Sequence, residues 1–187
     1  MKNNFVSFVH LLHEIGMLAH TPRSGFAFLG SGRQSVAEHS FRMALTAYVL
    51  AELLEKMQSV QVDRKKLLLM CLLHDLPEAR TGDLNYVNKR YVEAHEERAV
   101  ADIQSAYPCG DEIKSLIDAY RENSTIESKL AHDADQLELL LCLKREEELG
   151  NSHAMKWFQK ALERLQTEEA KELAREIQSV SSDAWWM

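Results

Sequence analysis

The most apolar run of the chain, "LLLMCLL" over residues 67–73, ends on His74 and Asp75. An ionisable pair driven into such surroundings is costly unless it is paired or bound to a metal. Two further groups share the setting: His39 and Asp135 also lie on or beside apolar helical segments. Two imidazoles and two carboxylates make a donor set for a divalent transition metal. Drawing ligands from several helices is how helical bundles build metal sites in their cores. Each group alone has a plainer reading. A single His39 fits a hydrogen-bonded core histidine, a single Asp135 fits a surface carboxylate, and the dipeptide His-Asp is common. The combination carries the argument. His132 and Asp133 stand beside Asp135 on the same segment and compete with it as the fourth ligand.

The elements that position these groups read as helices. Phe5, Phe8, Val9, Leu12, Ile15 and Leu18 recur at helical spacing and predict a first helix over about 3–20. The stretch "HTPRSGFAFLGSGRQ" breaks the pattern with Pro22, Gly25, Gly30 and Gly32. It is a long loop of the sort that often carries function. Ser35 and Glu38 form a capping box that opens a helix to about Lys56. His39 falls on its inward stripe with Val36, Met43, Ala47, Leu50 and Leu54. Asp63 caps a third helix, apolar on nearly all sides and expected to be central and buried. Pro77 either ends that helix or starts a short turn, and "TGDLN" is a loop. Helices follow over about 88–106 and 110–121. Ser124 and Glu127 make a second capping box for a long helix that Gly150 and Asn151 stop. Two more helices fill 152–178. The tail "SSDAWWM" either docks its tryptophans on a protein surface or is disordered.

Composition agrees with an all-α fold. The chain has 187 residues, is 45% hydrophobic and holds only 7 glycines and 3 prolines. A formal charge of −7 argues against a nucleic-acid polymer as partner, while leaving room for a small phosphorylated ligand held by a few local cations. Cys71, Cys109 and Cys142 form no CxxC pair, so they read as reduced thiols rather than a zinc ribbon. The start shows no apolar signal core, and the apolar run at 67–73 is far shorter than the roughly 20 residues that span a bilayer. The expectation is a cytoplasmic protein with no membrane contact.

Four stretches together resemble the HD-domain metal-dependent phosphohydrolases, and within them the 5′-deoxynucleotidase branch: "PRSGF" (22–26), "SVAEHSFRMA" (35–44), "LLHDLPEARTGDL" (73–84) and "ESKLAHDADQLE" (127–138). The resemblance implies a single all-helical HD domain over 1–187, built around one divalent metal and often a homodimer. It implies hydrolysis of deoxynucleoside 5′-monophosphates to deoxynucleoside and phosphate. By position, His39, His74, Asp75 and Asp135 match the metal ligands, Glu78 the catalytic carboxylate, Asp83 a second active-site acid, and Arg23 the phosphate-contacting arginine. Manganese or cobalt is the implied metal, with iron, nickel and zinc also suited to mixed nitrogen and oxygen ligands. Two departures stand out. A tryptophan common near that arginine is replaced by Gly25-Phe26, and an acid common just before Tyr120 is replaced by Ala119, with Asp118 one place earlier. Another HD-type hydrolase, acting on a polyphosphate or cyclic nucleotide, and a non-catalytic nucleotide-binding module are the rival functions.

The residue chemistry fits those roles. A guanidinium such as Arg23 binds phosphate with two parallel hydrogen bonds, and Arg33 and Lys129 are weaker candidates. Glu78 follows His74 by four residues, about one helical turn, and could take a proton from an attacking water. Asp83, on the loop beyond, could orient water or protonate the leaving oxygen. Glu38 is explained by the capping box and lies outside the expected site.

Overall fold

The structure is a computed structural model and describes residues 2–187, with side chains from Phe5 onward. In chain order the helices are α1 (Lys2–Met17), α2 (Phe26–Leu29), α3 (Val36–Gln58), α4 (Arg64–Leu73), α5 (Glu78–Thr81), α6 (Glu96–Ala106), α7 (Gly110–Glu122), α8 (Ile126–Glu148), α9 (Ala154–Leu162) and α10 (Glu168–Ser179). Among the described residues there is no strand, and one isolated bridge joins Pro22 to Ser35. The all-α expectation holds.

The long helices α3 and α8, each of 23 residues, pack against one another and against α4. Their apolar faces close one core around Met43, Leu50, Met70, Leu137 and Phe158, with α9 and α10 as its outer layer. A second core gathers Leu11, Val36, Leu76, Ile103 and Ile117 from α1, α3, α6, α7 and the segment after α4. On α3, Val36 belongs to the second core and Met43 to the first, so His39 sits between them. Beyond α4, Cys71 belongs to the first and Leu76 to the second, so His74 sits between them too. Both histidines thus lie along the seam of two apolar cores.

Several predicted elements stand. Ser35 and Glu38 exchange both capping-box hydrogen bonds, and Asp63 accepts from Lys66 N at 2.9 Å to start α4. Val36, His39, Met43, Ala47, Leu50 and Leu54 are all buried. Pro77 starts the short α5.

Others are corrected. On α1 the stripe Phe5, Phe8, Val9, Leu12 and Ile15 faces outward, and Leu11 and Leu18 are the residues that reach the core. Helix α4 is not buried all round, since Leu72 is exposed while Leu67, Met70 and Cys71 face inward. The helix expected from residue 88 begins at Glu96. Before it, the Asn85 side chain accepts from the backbone N–H of Val87 and of Asn88, both at 3.0 Å, and winds this stretch into a turn that leads to the 3₁₀ turn Asn88–Arg90. The second capping box sits one residue later than expected, with Thr125 as the cap and Ser128 as its partner. Glu127 instead accepts from Asp63 N at 3.2 Å and links the start of α8 to that of α4. Trp185 and Trp186 in the tail are exposed, and Ser182 hydrogen-bonds Glu148.

The relocated cap can be tested by chemical denaturation. Thr125→Ala is expected to cost about 1 kcal/mol of stability. Ser124→Ala, at an exposed neighbour, is expected to stay within about 0.5 kcal/mol of the parent. The reverse order would restore Ser124 as the cap.

Candidate metal centre

The capping box fixes the phase of α3, and that phase turns His39 fully inward. Its Nδ1 donates to Glu138 Oε2 on α8 at 2.8 Å. Its Nε2 is buried and makes no hydrogen bond, although Asp135 Oδ1 lies 3.2 Å away and Asp75 Oδ2 3.9 Å away. His74, at the end of α4, is arranged alike. Its Nδ1 donates to the Cys71 carbonyl at 3.0 Å, and its Nε2 lies 3.1 Å from Asp75 Oδ2. The two rings stand edge to face with centroids 5.8 Å apart.

Donor atoms of His39, His74 and Asp75 all fall within 4.8 Å of one another. Asp135 joins them through His39. Both imidazoles thus have Nδ1 held by an acceptor and Nε2 turned toward carboxylates. Metal-bound histidines are oriented in this manner, with the second nitrogen fixing tautomer and ring plane. The orphaned Nε2 of His39 and the mixed nitrogen and oxygen donors fit a divalent cation. Such a cation, when bound, lowers the pKa of a coordinated water and polarises a phosphoryl oxygen.

The charges of the site are interdependent. Burial opposes ionisation of Asp75, but His74, Arg23 and His39 outweigh it and hold the carboxyl down at about 2. Asp135 is likewise lowered, against its burial, by His39, Arg23 and His74. Burial and Arg23 act to lower the His39 pKa, while Asp135 and Glu138 raise it to about 9. A proton and a metal compete for that nitrogen. Burial pushes Glu78 up to about 9, helped by repulsion from Asp75 and Asp83, and its Oε2 is buried with no partner.

Arg23 enters this acidic cluster from the loop before α2. Its guanidinium donates to Asp75 Oδ2 at 3.2 Å and lies 3.8 Å from Asp135 Oδ1. The backbone holds it there: Arg23 N donates to Gln34 O at 2.8 Å, and Ser24 N donates to Asp83 Oδ2 at 2.6 Å. Asp83 therefore ties the arginine loop to the segment after α5. The structure brings Arg23, His39, His74, Asp75, Glu78, Asp83 and Asp135 into one neighbourhood. Arg33 and Lys129 are exposed.

Both rival ligands are engaged elsewhere. His132 donates from Nε2 to the Tyr120 carbonyl at 2.8 Å and stacks on the Tyr120 ring at 4.0 Å. Asp133 accepts from Gln166 N at 2.7 Å and Thr167 N at 2.9 Å, which fastens the start of α10. Asp118, near the altered acid position, pairs with Lys114 of its own helix.

Sequence reasoning missed Glu138. It is 1% exposed and also accepts from Gln34 Nε2 at 2.7 Å and pairs with Arg42 at 3.2 Å. The available signal was its position three residues after Asp135, on the same helix face. Tyr120 was also missed as a packing partner, with its ring 4.7 Å from that of His74.

The HD domain family pattern matches residues 15–178. The chain belongs to the HD-domain family. A zebrafish (Danio rerio) relative named 5′-deoxynucleotidase HDDC2 is 28% identical over 153 residues, covering 79% of this chain and 72% of that protein. A yeast (Saccharomyces cerevisiae) relative named 5′-deoxynucleotidase YGK1 is 23% identical over 154 residues, covering 77% of this chain and 68% of that protein. Among solved structures, a conserved hypothetical protein of Pyrococcus furiosus superposes with a TM-score of 0.77 at 27% identity, covering 92% of this chain and 99% of that one. These likenesses agree with the helical bundle.

Two variants separate the support of the site from its rivals. Glu138→Ala removes the acceptor that orients His39 and is expected to weaken divalent-metal affinity about 10–100-fold. Asp133→Ala is expected to lower stability by about 1–3 kcal/mol, because it strands the backbone donors that open α10, with metal content unchanged. Metal analysis and denaturation of both proteins check this. Metal loss in Asp133→Ala would return that residue to the ligand set.

Proposed function

We propose that this protein is a divalent-metal-dependent phosphomonoesterase that converts deoxynucleoside 5′-monophosphates and water to deoxynucleosides and phosphate. The observation that carries the reading is the meeting of two imidazole Nε2 atoms, Asp75 and Asp135 with a backbone-anchored arginine. Relatives named 5′-deoxynucleotidase over most of the chain support the choice of substrate.

In this reading His39, His74, Asp75 and Asp135 hold one cation, with manganese or cobalt the preferred metals and iron, nickel or zinc also compatible. Arg23 binds the substrate phosphate with its forked donors and exchanges carboxylate partners for phosphate oxygens. Glu78 accepts a proton from the attacking water. Burial and the neighbouring acids Asp75 and Asp83 push the Glu78 pKa up to about 9, which favours the protonated carboxyl. Added positive charge in the site favours the ionised form that a general base needs. Asp83 steers water or supplies a proton to the leaving 5′-oxygen, and it keeps Arg23 in place through Ser24.

The described residues work as one HD unit that pairs with a second copy. The stripe Phe41, Leu45, Tyr48 and Val49 on α3 is exposed in one copy, and a second copy would remove it from water. A solution mass near twice 21.4 kDa is the expected result. No helix among the described residues is long and apolar enough to cross a membrane. The three cysteines are unpaired, in keeping with a reducing, cytoplasmic setting.

A phosphate-release panel on deoxy- and ribonucleoside monophosphates, triphosphates and cyclic nucleotides tests the activity. Release from the deoxynucleoside monophosphates is expected to dominate. Release only from triphosphates or cyclic nucleotides would replace the reading with another hydrolase, and binding without release would make the protein a regulatory module. Glu78→Gln is expected to keep its metal and lose roughly 10²–10⁴-fold in turnover. Arg23→Ala is expected to raise KM strongly with metal content unchanged, and Arg23→Lys to recover only part, because lysine cannot form the two-pronged contact. Full activity in Glu78→Gln, or wild-type kinetics in Arg23→Ala, would remove those roles.

A further inference from the structure

A cleft of about 940 Å³ opens directly beside the arginine loop, with Arg23 and Asp83 in its wall. Its far side is built some 130 residues later in the chain, by Lys156, Trp157 and Lys160 of α9 and by Arg164 just beyond the end of that helix. Gly25 faces that tryptophan. A Cβ on Gly25 would meet Trp157 Cζ3 at 3.6 Å and Cη2 at 3.9 Å, so the benzenoid edge of the indole rests against the backbone two residues from Arg23. Tyr86 stands edge to face with the indole at 6.3 Å between centroids, and Phe28 lies 6.2 Å from Tyr86. Trp157 is half-buried and Tyr86 is exposed.

The cleft has the chemistry of an anion with an aromatic body. Its wall carries four cations, Arg23, Lys156, Lys160 and Arg164, and one acid, Asp83, in a chain of net charge −7. Asp83 is engaged with the backbone of Ser24. The rest of the wall is largely apolar and includes Phe26, Leu29, Leu139 and Leu143. Positive charge at the rim raises the local concentration of an anionic ligand, and an indole offers a flat stacking face that every nucleobase can use.

We propose that Trp157 is the stacking platform for the nucleobase of a nucleoside monophosphate whose phosphate sits at Arg23. The inference rests on the phosphomonoesterase reading for its phosphate position and adds a base subsite to it. It also gives a physical sense to Gly25-Phe26. The loop carries no tryptophan of its own, and the α9 indole comes within van der Waals reach of it at Gly25. The aromatic surface is supplied across the fold instead of along the chain.

The test compares a ligand that has a base with one that lacks it. Binding of dAMP and of 2-deoxyribose 5-phosphate is measured by calorimetry on chelator-treated protein, where turnover is suppressed, for the parent, Trp157→Ala and Trp157→Phe. Melting curves accompany each variant. Removal of a stacking partner is expected to weaken dAMP roughly 5–150-fold relative to the base-less sugar phosphate. Trp157→Phe is expected to recover most of that loss and serves also if the alanine variant unfolds. Equal weakening of both ligands would mean that Trp157 merely holds the arginine loop, and unchanged dAMP affinity would remove the platform. Either result overturns the proposal. The two readings fail separately. A parent protein that shows the Trp157-dependent dAMP binding but, with metal restored, releases no phosphate keeps the base subsite and loses the hydrolase. One that releases phosphate from dAMP with a KM indifferent to Trp157 keeps the hydrolase and loses the subsite. A parent that binds no dAMP without metal and releases no phosphate from it with metal restored overturns both.

Discussion

Acidic and basic groups share the seam between two apolar cores, and each is affordable there only because of the others. Asp75 and Asp135 remain ionised because His39, His74 and Arg23 face them. Glu138 remains ionised because His39, Arg42 and Gln34 do the same one layer back. Such a cluster cannot be cut down piecemeal, since removing one partner leaves an uncompensated buried charge. A divalent cation suits the arrangement because it supplies concentrated positive charge where carboxylates and ring nitrogens already converge.

That constraint accounts for the fold around it. Helix α3 must hold one phase over its length, because His39 has to meet Glu138 and Asp135 on α8 while Val36 and Met43 fill different cores. The capping box at Ser35 sets that phase at the first turn. Helix α4 must stop at His74, and the turn into Pro77 carries Asp75 and Glu78 onward to the same place. The arginine loop crosses to reach them. It is pinned at Gln34 and at Asp83, so Arg23 is positioned by backbone hydrogen bonds and not by its side chain alone.

The parts of this design written in local pattern were legible. Period and capping residues placed α3, α4 and α8 to within a few residues, and the inward phase of His39 followed from its apolar neighbours. Asp63 was visible as a cap for the same reason. Features that depend on distant chain segments were not. Nothing near Phe5, Phe8 and Val9 says that their stripe faces outward. Ser124 and Thr125 are adjacent and chemically alike, so a choice between them needs the contact of Glu127 with Asp63. His132, Asp133 and Asp135 could not be ranked without knowing that Tyr120 and the start of α10 occupy the first two. Glu138 and Trp157 act through partners about a hundred or more residues away, which local pattern does not encode.

The central claim is that these residues share one cation. It is tested most directly by titrating chelator-treated protein with manganese or cobalt, following bound metal and melting temperature together, in the parent and in His39→Ala. The account predicts saturation at about one ion per chain with a rising melting temperature in the parent, because a ligand that binds only the native state stabilises it. It predicts loss of both in His39→Ala. Equal metal uptake and an equal thermal shift in His39→Ala would place the cation elsewhere and contradict the account.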